Sequence, residues 1–139
     1  MLTTHDHERL RGVHPTLVTD VERLCEAATT RGTPMFVAQG VRTVQQQQAL
    51  YAQGRTTPGK IVTMKDGVKF PSDHQVHADG FGHAVDIAFV PTAARKDAWS
   101  DQWPWEAFGE AAEGLGLRWG GRWTHPHDLD HIELPEMKA

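Results

Sequence analysis

The segment Ala84-Val85-Asp86-Ile87-Ala88-Phe89-Val90 constrains this chain more than any other. It is apolar except at one position, and Pro91 ends it. A run of this kind reads as a strand buried on both sides. Val85 and Ile87 point to one face of such a strand and Asp86 to the other. A carboxylate on a buried strand is costly unless it is paired or bound to a metal. Periodicity alone leaves two answers open, a salt bridge to Arg42 or Arg118, or a metal ion. His131 opens a second short apolar strand, His131-Ile132-Glu133-Leu134, and poses the same question.

The other elements fit around these strands. Leu17, Val21, Leu24, Cys25 and Ala28 recur at helical spacing, so a helix is expected from Pro15 to Thr29, with Gly32 beyond its end. Met35-Phe36-Val37-Ala38 reads as a strand ended by Gly40. Thr43 suits the cap of a helix running through Gln45 to Gln53, with Val44, Ala49 and Leu50 as its apolar face and Gln45 to Gln48 on its wet side. Residues 54–82 are rich in Gly, Pro and polar residues, with Ile61-Val62 as a possible strand. A loop of this length in a compact domain is usually functional. Pro104 opens a third helix, through Trp105, Phe108, Ala111, Ala112 and Leu115. Leu117-Arg118-Trp119 is a short strand into the turn Gly120-Gly121. The expected fold class is α+β, one domain over residues 1–139, with helices around a small, mainly antiparallel sheet.

Composition narrows the chemistry. The chain has 139 residues and one cysteine, Cys25, so it has neither an internal disulfide nor a multi-thiolate zinc site. Cys25 lies on the apolar helix face and reads as a small buried hydrophobe. Nine histidines are many for this length, and imidazole with carboxylate suits zinc without excluding iron or manganese. A net charge of −4 argues against a nucleic-acid partner. Met1 to Leu10 carries no secretory signal pattern, and no stretch approaches the roughly 18 apolar residues of a membrane span.

Metal-capable residues gather in two segments, Ser72 to Asp86 and His125 to His131, and Arg42 in Gly40-Val41-Arg42-Thr43 offers a cation. A catalytic zinc needs three protein ligands and an open position for water, whose pKa it lowers to near 7. A carboxylate then moves the proton, and a cation can stabilise the oxyanion. The sequence has candidates for every role.

These residues resemble a known family. Ser72-Asp73-His74, Gly82-His83-Ala84-Val85-Asp86 and Asp128-Leu129-Asp130-His131 are similar, in order, to the motifs of VanY-type D-alanyl-D-alanine carboxypeptidases and phage L-alanyl-D-glutamate endopeptidases. Gly40-Val41-Arg42-Thr43, Gln48-Ala49-Leu50-Tyr51 and Leu117-Arg118-Trp119-Gly120-Gly121 also resemble family segments. The wider group includes the zinc-binding core of hedgehog signalling domains. The resemblance implies one zinc ion held by His74, Asp86 and His131, with Asp128 as general base and Arg42 on the substrate carbonyl or carboxylate. It implies that Ser72 holds substrate near the metal. Trp119 and Trp123 are candidates for the cleft wall.

One departure stands out. The family pattern leaves six residues between the first histidine and the aspartate, whereas eleven separate His74 from Asp86. The reading is an insertion at residues 76–80 that bulges from the loop. His77 is the alternative ligand, with His83 and Asp79 less suited, and Asp130 is the alternative base. His5, His7 and His14 read as solvated, and His125 and His127 as loop histidines.

The functional expectation is a phage-type endolysin that cuts the peptidoglycan stem peptide between L-Ala and D-Glu. It is expected to be a monomer, made in the host cytoplasm without a signal peptide and released through holin-type export. The alternatives are a D,D-carboxypeptidase and a non-catalytic zinc-containing wall-binding domain.

Overall fold

The computed structural model describes residues 2–124 and 127–135. His125 lies outside the described residues. The element order is α1 (Thr4–Arg9), α2 (Pro15–Thr30), β1 (Met35–Gln39), α3 (Val44–Ala52), β2 (Ala84–Phe89), α4 (Trp105–Gly114), β3 (Arg118–Trp119), a 3₁₀ turn (Gly120–Arg122) and β4 (His131–Glu133). This is a small α+β domain. The four strands form one antiparallel sheet in the order β1-β2-β4-β3.

The apolar run becomes the inner strand β2, and all six of its residues are buried. Val85 pairs with Ile132 and Asp86 with His131. Directly opposed residues of an antiparallel pair share a face. The register therefore sends Val85, Ile87 and Ile132 into the core and sets Asp86 beside His131 on the other face. On its far side β2 pairs with β1, where the register shifts between Val37 and Gln39 and brings Gln39 opposite Asp86. Such irregularities re-aim side chains next to functional sites.

Helix α2 buries Leu17, Val21, Leu24, Cys25 and Ala28, and α4 buries Trp105, Phe108 and Ala112. Both join one core with Val37, Val85, Ile87, Phe89 and Ile132. Phe89 stacks on Trp103 at 5.0 Å and meets Trp105 edge-on at 4.8 Å. His14, expected in solvent, is half-buried. Its Nδ1 caps α2 by accepting from the Thr16 amide, and its ring meets Phe81 and His83 edge-on.

The structure adds one element and corrects two further expectations. Helix α1 has no apolar pattern to announce it. It forms through a capping box between Thr3 and Asp6 and is anchored by Asp6, whose buried carboxylate accepts the Val37 amide at 2.9 Å. Ile61 and Val62 form no strand and are 53% and 42% exposed. Helix α3 has the expected Thr43 cap but not the expected apolar face. Val44 and Ala49 are exposed, and the one residue it buries is Gln47.

Gln47 is fully buried because it ties the long loop to the helix. Its side-chain amide donates to the Lys65 carbonyl at 2.9 Å and to Thr63 Oγ1 at 3.2 Å. The loop is ordered by similar bonds: Asp66 Oδ1 accepts the amides of Val68 and Phe70, and Gln75 donates to the Gly67 carbonyl. Residues 76–82 leave this loop and return to it. Val76 bridges Gly82, and the amide of His77 donates to the Phe81 carbonyl.

Candidate metal centre

Asp86 and His131 come together through strand register, and the loop supplies His74. The His74 amide donates to Ser72 Oγ, the Ser72 amide donates to Gln75 Oε1, and the His74 carbonyl accepts the Arg42 amide. Gly40, whose carbonyl faces His74 Nδ1, packs against the end of α1: a Cβ there would lie far inside contact distance of the Arg9 carbonyl oxygen, so only glycine fits.

The three side chains converge closely. His74 Nε2 lies 3.2 Å from His131 Nδ1 and 3.3 Å from Asp86 Oδ1, and His131 Nδ1 lies 3.2 Å from Asp86 Oδ1. Their outer partners fix the protons. His74 Nδ1 stands 2.8 Å from the Gly40 carbonyl, which can only accept, so this nitrogen carries the hydrogen. His131 Nε2 stands 2.8 Å from Glu133 Oε1 and donates to that carboxylate. Each ring therefore turns an unshared pair inward, toward a carboxylate oxygen that also only accepts. Three lone pairs at this spacing repel unless a positive charge sits among them. Ligands about 2.0 Å from a tetrahedral zinc stand roughly 3.3 Å apart. Donor set and spacing both fit that ion.

The electrostatics show the same demand. A proton on the inward nitrogen of His131 competes for the place such a cation would take: burial disfavours the imidazolium, yet hydrogen bonds to Asp86 and Glu133 and nearby carboxylate charge push its pKa up to about 10. Burial also opposes ionisation of Asp86, but the charge of His74 and bonds to both histidines hold it far below the usual carboxylate range. The other oxygen of Asp86 faces Arg42 Nη2 at 3.3 Å. The salt bridge and the metal-facing arrangement thus coexist on one carboxylate, and Arg42 rather than Arg118 is the partner. Arg42 also donates through Nε to Gln39 at 2.8 Å and through Nη1 to Gln47 at 3.1 Å.

A cleft of about 750 Å³ opens over the three side chains. Asp128 and Asp130 lie at its edge, and their carboxylate oxygens come within 4.8 Å of that of Asp86 and of each other. Asp128 Oδ2 is 3.8 Å from His131 Nδ1, and its side chain is 35% exposed. Asp130 is pushed up to about 10 by desolvation, by the charge of Asp86 and by its hydrogen bond with Asp128. Gly120 lets this segment close in, since a Cβ there would collide with the Asp128 carbonyl.

The alternative ligands lie elsewhere. His77 stacks on His83 at 3.8 Å, and its Nε2 is 3.3 Å from Asp73. Asp79 pairs with His83 at 2.6 Å. Trp119 does not reach the cleft. It is buried against Gly109 and Gly121, with its indole N–H donated to the Leu129 carbonyl. Trp123 and Trp99 border the cleft instead, and Trp123 lies 4.8 Å from the His131 ring.

Glu133, Asp73 and Gln47 are site residues that sequence reasoning missed. Glu133 is two residues beyond His131 on a strand, so period two could have placed it on the same face. Asp73 is raised to about 7 by burial and by its hydrogen bond to Glu133, with the charge of Glu133 adding to both. Gln47 gave no signal within a run of four glutamines.

A sheet that presents Asp86 and His131, joined by His74 from the loop, beneath an acid-lined cleft has the donor set of a metal-dependent hydrolase. Residues 71–134 match the family described as D-alanyl-D-alanine carboxypeptidase. The chain is 31% identical over 133 residues to the peptidoglycan L-alanyl-D-glutamate endopeptidase CwlK of Bacillus subtilis (strain 168), which covers 88% of this chain and 73% of the relative. The chain belongs to this peptidase family. Its fold is similar to that of the L-Ala D-Glu endopeptidase ChiX of Serratia marcescens, with 28% identity, a TM-score of 0.59, and coverage of 96% of this chain and 89% of that one. The LD-carboxypeptidase LdcB shares the fold at 18% identity and a TM-score of 0.61, covering 91% of this chain and 67% of its own. So does the vancomycin resistance D,D-pentapeptidase VanY, solved with Zn(II), at 18% identity and a TM-score of 0.57, with coverage of 88% and 72%.

Proposed function

We propose that this chain is a peptidoglycan peptidase that hydrolyses the L-alanyl-D-glutamate bond of the stem peptide, with one zinc ion held by His74, Asp86 and His131. The observation that carries the reading is the set of three inward lone pairs, 3.2–3.3 Å apart, beneath an open cleft. The choice of bond rests on similarity to CwlK and ChiX, both named for that activity.

A zinc ion so held supplies Lewis acidity toward an amide carbonyl and acidifies a water to near-neutral pKa. The residues of the chain do the rest. Asp128, the half-exposed member of its pair, takes a proton from the attacking water and returns it to the leaving amine. Asp130, whose carboxylate comes within 4.8 Å of those of Asp128 and Asp86, stands beside this base. Arg42 fixes Asp86 while keeping donors for a substrate carbonyl, since a guanidinium has five N–H groups. Ser72 positions His74 by accepting its amide, which leaves the hydroxyl hydrogen for the peptide.

Mass spectrometry of purified peptidoglycan after digestion tests this. A new D-Glu amino terminus is expected. Released free D-Ala would instead make the chain a carboxypeptidase, and absence of soluble products would favour a binding role.

A further inference from the structure

The wall of the cleft carries more apolar surface than a stem peptide can cover. Leu50, Val62, Met64, Trp99 and Trp123 line it beside the acids, and Met64 and Trp99 are 56% and 53% exposed. A peptide of alanyl, glutamyl and diamino-acid residues brings methyl groups, charges and amides, but no large apolar face. The volume of about 750 Å³ lies in the upper part of the roughly 300–1,000 Å³ range of small-molecule sites, more than two small residues fill.

Trp99 is the part of this wall that is built to stay in place. Its neighbour Ala98 is buried, and its own amide donates to Asp97 Oδ1 at 2.9 Å. Two buried indoles clamp the backbone on either side of it. Trp103 donates its N–H to the Asp97 carbonyl at 2.7 Å, and Trp105 donates its N–H to the Ser100 carbonyl at 2.8 Å. Both rings pack on Phe89, at 5.0 and 4.8 Å, so the clamp stands on β2, the strand that carries Asp86. An indole held half open to water on a fixed backbone keeps apolar surface exposed that folding normally removes. It also leaves little ordering to be done when a ligand arrives, which favours affinity.

We infer that Trp99 is a platform for the sugar ring to which the stem peptide is attached, so that the chain prefers glycan-linked stems to free peptide. The inference rests on the peptidase reading above. In peptidoglycan the L-alanyl nitrogen is joined through a lactyl group to the muramyl sugar. That ring therefore lies one residue and one short linker from the proposed cut. A pyranose presents a flat face of C–H groups with partial positive charge, and an indole presents a negative π face. The hydroxyl groups of the sugar project from its edge and stay in water while the faces meet. The sugar face is the one large, flat apolar surface that the substrate has near the bond.

The test gives the zinc-loaded full chain two substrates, an N-acetylmuramyl tripeptide and the same tripeptide with a lactyl cap and no sugar. The sugar-linked form is expected to be cleaved with a kcat/KM about 10-fold higher, the scale of one aromatic contact. Trp99→Ala should bring that ratio to within about twofold of one, through KM. Trp99→Phe, which keeps a π face, should restore most of it. A ratio near one in the wild type, or a ratio unchanged in Trp99→Ala, would overturn the platform. If neither substrate is cut, the choice of bond has failed, and calorimetric binding of the same two compounds then decides. Tighter binding of the sugar-linked form, lost in Trp99→Ala, supports the platform, and equal affinities refute it.

Discussion

His74 and His131 each have one ring nitrogen to offer inward, and the group on the other side of the ring decides which. For His74 that group is a backbone carbonyl; for His131 it is Glu133. Outer partners of this kind set the tautomer and strengthen the ligand, and removing one typically costs about 10- to 100-fold in metal affinity. Glu133→Gln should therefore keep the fold and weaken zinc binding by about that factor, measured by competition with a chelator; unchanged affinity would remove Glu133 from the site. Asp128 makes the contrasting case. It stands outside the triad of inward donors, so Asp128→Ala should retain zinc and fold while turnover falls about 10²- to 10⁴-fold, the range for a lost general base. Metal content and hydrolysis rate, measured on one preparation, separate the two effects. Undiminished hydrolysis would mean the base is another group.

At the scale of elements, legibility followed hydrophobic contrast. A lone carboxylate in an apolar run marked β2 as a buried strand with something to explain, and the structure places it in the middle of the sheet. Helix α2 was legible for the same reason. Helix α3 was legible in its cap and extent but not in its buried face, because what it buries is a polar side chain whose partners lie 16 and 18 residues away, and no local pattern encodes that. Glu133 escaped because it reads as the polar residue of a short strand until its neighbour His131 needs a partner. The extra residues 76–80 were recognisable as an excursion, but only coordinates show them closing through Val76 and Gly82. Gln47→Leu tests the tie between helix and loop. It strands the Lys65 carbonyl and takes a partner from Arg42, so unfolding in urea should show a loss of about 1–3 kcal/mol. No loss would mean that the loop is held by other contacts.

The core and the cleft over the metal-capable side chains lie on opposite faces of the same thin sheet. Stability and function can therefore be probed separately. Cys25 is on the core side. Burial, helped by the negative charge of Asp6, pushes its thiol up to about 12 from 9.0. A raised thiol pKa favours the fold while the unfolded chain also keeps its proton, and this contribution is lost as pH rises from about 9 through about 12. Cys25→Ala should cost about 1 kcal/mol at neutral pH yet flatten the alkaline limb of the stability curve, with peptidase activity retained. An alkaline limb unchanged by the substitution would show that another group causes it. No helix among the described residues is long and apolar enough to cross a membrane.

The metal site is the claim on which the rest depends, and it is tested most directly by counting zinc atoms per chain in the purified protein and two variants. The expected result is one zinc in the wild type, a loss in His74→Ala and retention in His77→Ala. A wild type without zinc would contradict the site altogether, and loss of zinc from His77→Ala with retention in His74→Ala would place the ligand in the excursion.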